Sequence, residues 1–218
     1  MNYEVVDILY RSRKTLLDHL EEAGYVTEPY RKIAHTELEQ MVRAGPIAGA
    51  PPALQMDLQR RDDSTETIRK CTVITTLGRI KAKLKAFTEK LIDPEETGFD
   101  AATTELIIVT FEPIVTTFHS MAFECWTKHS VRIRYFQAEA LVNNPLKHIL
   151  VPLHEKVSKD EEAALLQSLY AKKTQFPLIR FHEDPIARML GSLPGDLLKI
   201  TRPSPTAGKY ITYRVCVP

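Results

Sequence analysis

Two histidines, His148 and His154, flank Val151-Pro152 and are the side chains most able to hold a transition metal. Six residues apart across a proline they share no helix face, and no third ligand of fixed spacing accompanies them, so metal binding has no geometry behind it. Cys71, Cys125 and Cys216 are too far apart for a zinc ribbon or knuckle, whose ligands pair at short spacing, and each reads as a small buried hydrophobe. Phosphate binding fares no better, because neither a Gly-x-x-x-x-Gly-Lys loop nor a Gly-x-Gly-x-x-Gly turn is present. Ser204 and Thr206, set between prolines and Gly208, read as turn-forming hydroxyls that bond nearby amides rather than as phosphorylation sites.

Bulk properties narrow the classes further. A chain of 218 residues, 44% hydrophobic and 26% charged, can bury a core without disulfides or metals and has room for one or two domains. Twenty-nine Lys and Arg against 28 Asp and Glu leave a net charge of +1, which excludes the global field of a nucleic-acid or membrane-surface binder. The charge is unevenly placed: residues 146–218 carry 11 basic against 7 acidic side chains, and residues 1–145 carry 18 against 21. Neutralising a few phosphates is within reach of the first balance, but so is an ordinary solvated surface. The opening ten residues hold Glu4 and Asp7 in place of a basic leader, and no apolar run approaches the roughly 18 residues of a membrane span, so a soluble intracellular protein is expected.

The elements that must position any site follow from periodicity. From Tyr3 to Ala23, apolar residues recur at three- and four-residue steps and Gly24 stands as a stop, which predicts a helix. Ala44 to Pro52 contains two Gly and three Pro, and polar residues continue through Ser64, which predicts a long exposed excursion over 44–64. Cys71–Thr76 reads as a strand. Arg79–Leu91 reads as a helix with Ile80, Leu84, Phe87 and Leu91 on one face and Arg79, Lys81, Lys83 and Lys85 crowding the rest. The apolar run Glu105–Phe111, the helical pattern Ile114–Lys128 and the alternation of Val131–Phe136 then give strand, helix, strand, an α/β layer.

Past Asn144, eight prolines break the chain into short elements, which predicts a second compact domain. Ser158-Lys-Asp-Glu161 is a capping box, opening a helix whose Ala164, Leu165, Leu169 and Tyr170 are expected to pack inward. Asp184-Pro185 starts a short helix ended by Gly191, and Leu193-Pro-Gly-Asp196 is a tight turn into the strand Leu197–Thr201. Lys209–Val217 alternates as a further strand, paired to the previous one as a hairpin through Arg202–Gly208.

Leu150-Val-Pro-Leu-His154, the Ser158 box, Gln175-Phe-Pro177, Asp184-Pro185, Gly191, Pro194-Gly-Asp196 and Arg202-Pro-Ser-Pro-Thr-Ala-Gly208 with Tyr210, Tyr213 and Arg214 fall in one order. In that order and spacing they resemble the assembly domain of the fifth subunit of eukaryotic DNA-directed RNA polymerases and of its smaller archaeal counterpart. The resemblance is dense from Leu141 to Val217. Before that, only the opening helix ending in Gly24-Tyr25 and the strand order are similar to the eukaryotic jaw domain. Phe176 departs from the Leu usual in the family. Having both halves implies a eukaryotic-type or virus-encoded subunit, since archaeal versions lack the jaw.

The resemblance implies an α+β chain of two domains. One is an α/β jaw over residues 1–142 with a restriction-endonuclease-like core, the other a small α+β assembly domain over 143–218 with a short mixed sheet. It also implies a non-catalytic role in the nucleus, or in host cytoplasm or virion for a viral enzyme. The assembly domain would dock on the largest polymerase subunit while the jaw lies beside downstream DNA without reading its sequence. Leu150, Val151, Phe176, Ile179, Tyr210 and Tyr213 are then expected to build the small core and part of the docking face, with Arg202 and Arg214 adding charge-assisted contacts. Arg79, Lys81, Lys83 and Lys85 are the candidate DNA-proximal cations. No cofactor, metal, membrane or small-molecule ligand is expected. A nuclease of the endonuclease fold would need an Asp-x-Lys or Glu-x-Lys triplet, and no Asp or Glu in the chain has Lys two places on. A stand-alone transcription adaptor, using the 44–64 excursion to grip a regulator, is the remaining alternative.

Overall fold

The computed structural model describes residues 3–44, 54–61 and 67–218, which fall into two compact units divided between Asn143 and Asn144. The chain is mixed α+β, with one four-stranded sheet in each unit and both strand orientations in each sheet. Among the described residues no helix is long and apolar enough to cross a membrane.

The first unit opens with α1 (Tyr3–Glu22), which buries Val6, Leu9, Leu16, Leu17 and Leu20. It ends where Gly24 takes a φ of 92°, letting Tyr25 N–H reach back to the Leu20 carbonyl at 2.9 Å; a side chain at Gly24 would strain this closure. Two shorter helices follow, α2 (Glu28–Arg31) and α3 (His35–Ala44), and Leu38 and Val42 of α3 cluster with Leu9 and Leu54.

The sheet runs β1 (Met56–Gln59), β2 (Lys70–Thr76), β3 (Thr104–Thr110) and β4 (Arg132–Gln137), in that order. β2, β3 and β4 are mutually parallel, and β1 closes one edge antiparallel. Parallel neighbours need crossovers, and these are helical: α4 (Leu84–Ile92) with the short α5 (Pro94–Thr97) between β2 and β3, and α6 (Thr116–His129) between β3 and β4. All seven residues of β3 are buried, which is why its middle, Leu106 to Val109, is a continuous apolar run rather than an alternation.

Two expectations change in this unit. Residues 45–53 and 62–64 of the expected excursion lie outside the described residues. The stretch between is not excursion at all: Met56 and Leu58 point into the core, Asp57 and Gln59 point out, and the strand pairs Met56 with Val73. Four residues of period-two pattern between proline-rich and polar stretches are too short a signal. The basic helix begins with a single 3₁₀ turn at Lys81–Lys83 and turns α only at Leu84. In β4, Arg134 is only 7% exposed and pairs with Glu105.

The second unit carries β5 (Leu153–Lys156), α7 (Lys159–Ser168), β6 (Leu178–Arg180), α8 (Pro185–Met189), β7 (Leu197–Ser204) and β8 (Gly208–Val217). Its sheet order is β5-β7-β8-β6, antiparallel except for the β8/β6 pair. Both halves of the Ser158/Glu161 capping box form, and the Asp184 carboxylate accepts from Ile186 N–H at 2.8 Å and Ala187 N–H at 3.0 Å. The β7/β8 hairpin is longer than its sequence suggests, since Pro203 and Ser204 still pair with Lys209 and Gly208, leaving 205–207 as the connection. Ala207 N–H bonds Ser204 Oγ at 3.2 Å, so that hydroxyl forms the turn.

α7 turns inward a different face from the one expected, keeping only Leu165 of the predicted residues partly buried. Its buried residue is Glu162, which Lys173 Nζ meets at 2.5 Å while also donating to the Gly195 carbonyl. Ala164, Leu169 and Tyr170 face solvent, and Leu165 is only half-buried. The inward face of α7 thus joins a charge pair at Glu162 to the half-buried Leu165 and Leu166 three and four residues on, while the other apolar residues expected inside stay in solvent.

Candidate docking surface and basic patch

Residues 144–218 expose more large apolar side chains than their small core requires. Ile149 is 94% and Leu150 82% exposed, Tyr170 is 96% exposed, and Leu153, Leu169, Leu178, Tyr210 and Ile211 also face solvent. An exposed leucine alone means little, but eight such residues within one unit of 75 residues are candidates for contact with another chain. Of these, sequence reasoning singles out only Leu150 and Tyr210 for docking. The exposed Ile149-Leu150 pair is legible as an apolar run beside a proline; Leu169 and Tyr170 escape because their helical spacing reads as core.

The expected docking residues do not form one cluster. Ile179 lies in β6 opposite Cys216 and is buried, so it serves the core. Phe176 and Tyr213 are half-buried and meet edge to face, ring centroids 6.3 Å apart. Arg202 faces Tyr210 across the hairpin and is exposed. Arg214 is half-buried and already engaged, its Nη1 donating to the Leu178 carbonyl at 3.1 Å, which braces β6. Leu150 and the half-buried Val151 precede β5, at the opposite edge of the sheet from β6.

The basic residues Arg79, Lys81, Lys83 and Lys85 are all exposed. Glu112 reaches across from the end of β3 and accepts from the amides of Ile80 at 2.6 Å and Lys81 at 3.0 Å. The free donors of this helix start are thus already occupied by a carboxylate, and what remains for an anion is the side-chain charge. Lys85 also lies 3.9 Å from Glu89 one turn on, an exposed pair that leaves it available.

The groups that could suggest catalysis are committed to structure. His148 Nδ1 accepts from Leu150 N–H at 3.2 Å, and His154 Nδ1 sits 2.7 Å from the Pro152 carbonyl. Among the described residues no group of three His, Cys, Asp or Glu side chains is placed to hold a metal ion. All three cysteines are free and buried. Burial pushes the thiols up, Cys125 to about 11 and Cys216 to about 12, so neither is a nucleophile near neutrality.

Residues 143–216 match the family model described as RNA polymerase Rpb5, C-terminal domain. The subunit rpabc1 of DNA-directed RNA polymerases I, II and III from Dictyostelium discoideum is 30% identical over 215 residues, covering 98% of this chain and all of that protein. The chain belongs to the RNA polymerase Rpb5 family. As a member it is a non-catalytic subunit of a multi-subunit DNA-directed RNA polymerase. Archaeal Rpo5 subunits match this Rpb5-family chain over the second unit alone: that of Archaeoglobus fulgidus is 50% identical over 70 residues, 91% of its own length. That of Pyrococcus horikoshii is 47% identical over 74 residues, 89% of its length.

Proposed function

We propose that this Rpb5-family subunit docks on the largest subunit of the polymerase through residues 143–218 and carries residues 1–142 as a jaw beside downstream DNA. The observation that carries the reading is the exposed apolar set of the second unit, led by Ile149 and Leu150, beside the exposed Arg202 and Tyr210 of the hairpin. Apolar side chains with a guanidinium at their margin suit a permanent subunit interface, where burial supplies affinity and charge sets register.

The jaw reading is supported by three parallel strands with helical crossovers and one antiparallel edge, an arrangement compatible with a restriction-endonuclease-like core lacking the metal-binding triplet. Arg79, Lys81, Lys83 and Lys85 would then contact phosphates without reading sequence. Such a subunit works in the nucleus of a eukaryotic cell, or where a virus-encoded polymerase assembles.

Co-purification tests the docking half. Leu150→Asp combined with Arg202→Glu in a tagged chain is expected to lose both large polymerase subunits from the pull-down while the chain stays folded. Retention of both at unchanged stoichiometry would refute it and leave an adaptor role. The DNA half predicts that replacing the four cations with Gln weakens the holoenzyme's grip on downstream duplex and flattens its salt dependence.

A further inference from the structure

The helical layer that opens the chain contains a cleft that the scaffolding role does not use. It encloses about 200 Å³ between α1, α2 and the start of α3, with Leu17 and Leu38 as a buried apolar floor, Ile33 beside them, and Arg13, Lys14 and Tyr30 at its walls. Tyr30 is held still, its hydroxyl donating to the Asp57 carbonyl and accepting from the Asp57 amide, both at 3.0 Å. Its ring therefore offers a fixed face, and the Arg13 guanidinium carbon lies 5.8 Å from the ring centroid.

The cations of the cleft differ in how their charge is met. Arg31 is neutralised, bonding Asp18 at 2.7 Å, Glu21, and Thr27 Oγ1 at 2.9 Å. Arg13 has no carboxylate partner among the described residues, and its Nε is buried without a hydrogen-bond partner. Lys14 likewise has no ion-pair partner among the described residues and is exposed at the rim. A half-buried guanidinium that has lost water and gained no anion is a cost the fold bears without return, unless a ligand supplies the anion.

We propose that this cleft is a recognition site for an acidic, apolar peptide segment of a protein partner, one carboxylate pairing with Arg13 and an adjacent apolar side chain seated on Leu17, Ile33 and Leu38. The volume is that of one or two side chains, and the apolar floor has no use for a nucleic-acid backbone, which would need cations spaced along a track. Lys14 adds long-range attraction and sets the approach; Arg13, fixed on Tyr30, provides the bidentate contact.

The test uses the full chain, ¹⁵N-labelled, titrated with acetyl-Asp-Glu-Phe-Asp-Leu-amide. The amides of Leu17, Tyr30, Ile33 and Leu38 are expected to shift saturably, and the affinity to fall at least tenfold with Arg13→Gln and a few-fold with Lys14→Gln. Lys14 is exposed, so that variant reports even if Arg13→Gln perturbs folding. The Asn/Gln version of the peptide is expected to bind at least tenfold more weakly. Shifts elsewhere in the chain, equal binding of the neutral peptide, or a DNA duplex that moves these amides where the acidic peptide does not would each overturn the proposal.

Discussion

Glu105 and Arg134 form an ion pair in the interior of the first unit, Oε2 to Nη2 at 2.9 Å, with side chains 11% and 9% exposed. The pair joins β3 to β4 diagonally, because Arg134 stands opposite Ile107 in the parallel register. The other carboxylate oxygen accepts from the Tyr25 hydroxyl at 2.8 Å, and the Tyr25 ring lies under the Arg60 guanidinium at 5.2 Å. One buried carboxylate thus ties Tyr25, three residues past the end of α1, to β3 and β4. Removing one member leaves the other charge buried: Arg134→Met or Glu105→Leu alone is expected to cost about 3–5 kcal/mol, and the double variant to recover most of it. Urea denaturation of the three variants measures the difference.

The same pair gives a pH dependence of known sign. Burial pushes the Glu105 carboxyl up, but the Arg134 charge and the Tyr25 hydrogen bond outweigh it and leave the group below its ordinary value of 4.5. A carboxyl depressed by folding contributes stability that is complete above the ordinary value and is lost as pH falls through the lowered one. Urea midpoints measured downward from about pH 5 are expected to fall for the wild type and to fall less steeply for Glu105→Gln.

Thiol reactivity separates the folded chain from the open one. Cys125 and Cys216 are pushed up to about 11 and 12, and Cys71 well above its usual range, in each case first by burial. At about pH 8 all three stay protonated, so a disulfide exchange reagent is expected to titrate no cysteine in the native protein and three in urea. A reactive thiol in the native state would contradict their placement.

How much is legible in the sequence depends on whether the signal is local. Capping boxes and stops are made of neighbours in sequence, so Ser158/Glu161, Asp184 and Gly24 are readable as they stand. The run from Glu105 declares a strand, but its buried acid cannot announce a partner 29 residues on, and Arg134 passes for a surface residue. β1 escapes because four alternating residues carry little information beside prolines. α7 misleads for a different reason. Periodicity reports that a helix has an apolar stripe and is silent on whether its own chain or another covers it. Among the exposed apolar residues the same ambiguity hides Leu169 and Tyr170 while leaving Leu150 visible in its loop.

Tyr170 occupies the left-handed position that closes α7, with φ 48°, where Ala171 N–H returns to the Leu166 carbonyl at 3.1 Å. A glycine there avoids the clash that a Cβ introduces, so Tyr170→Gly is expected to raise the unfolding free energy by about 0.5–1 kcal/mol. Its ring makes no burial to lose, at 96% exposed. If the subunit docks through this face, the more stable variant is also the one that co-purifies less polymerase, an inverse relation that a purely structural residue does not show.

Arg202 and Arg214 are paired as docking cations by the sequence, and the structure makes them separable. Arg214 donates to the Leu178 carbonyl from β8 while Val215 pairs with Leu178, so its guanidinium braces β6. Arg202 is exposed near the tip of the hairpin. Arg214→Ala is expected to lower stability by about 1–2 kcal/mol through a lost charged hydrogen bond, with any loss of polymerase association following the unfolding curve. Arg202→Glu is expected to leave stability within about 0.5 kcal/mol and to weaken association at low salt more than at high salt. Thermal melts paired with pull-downs at two ionic strengths distinguish the two: if Arg202→Glu associates normally at both, the hairpin face is not where the partner's charge lies, and the exposed Ile149-Leu150 edge alone carries the interface.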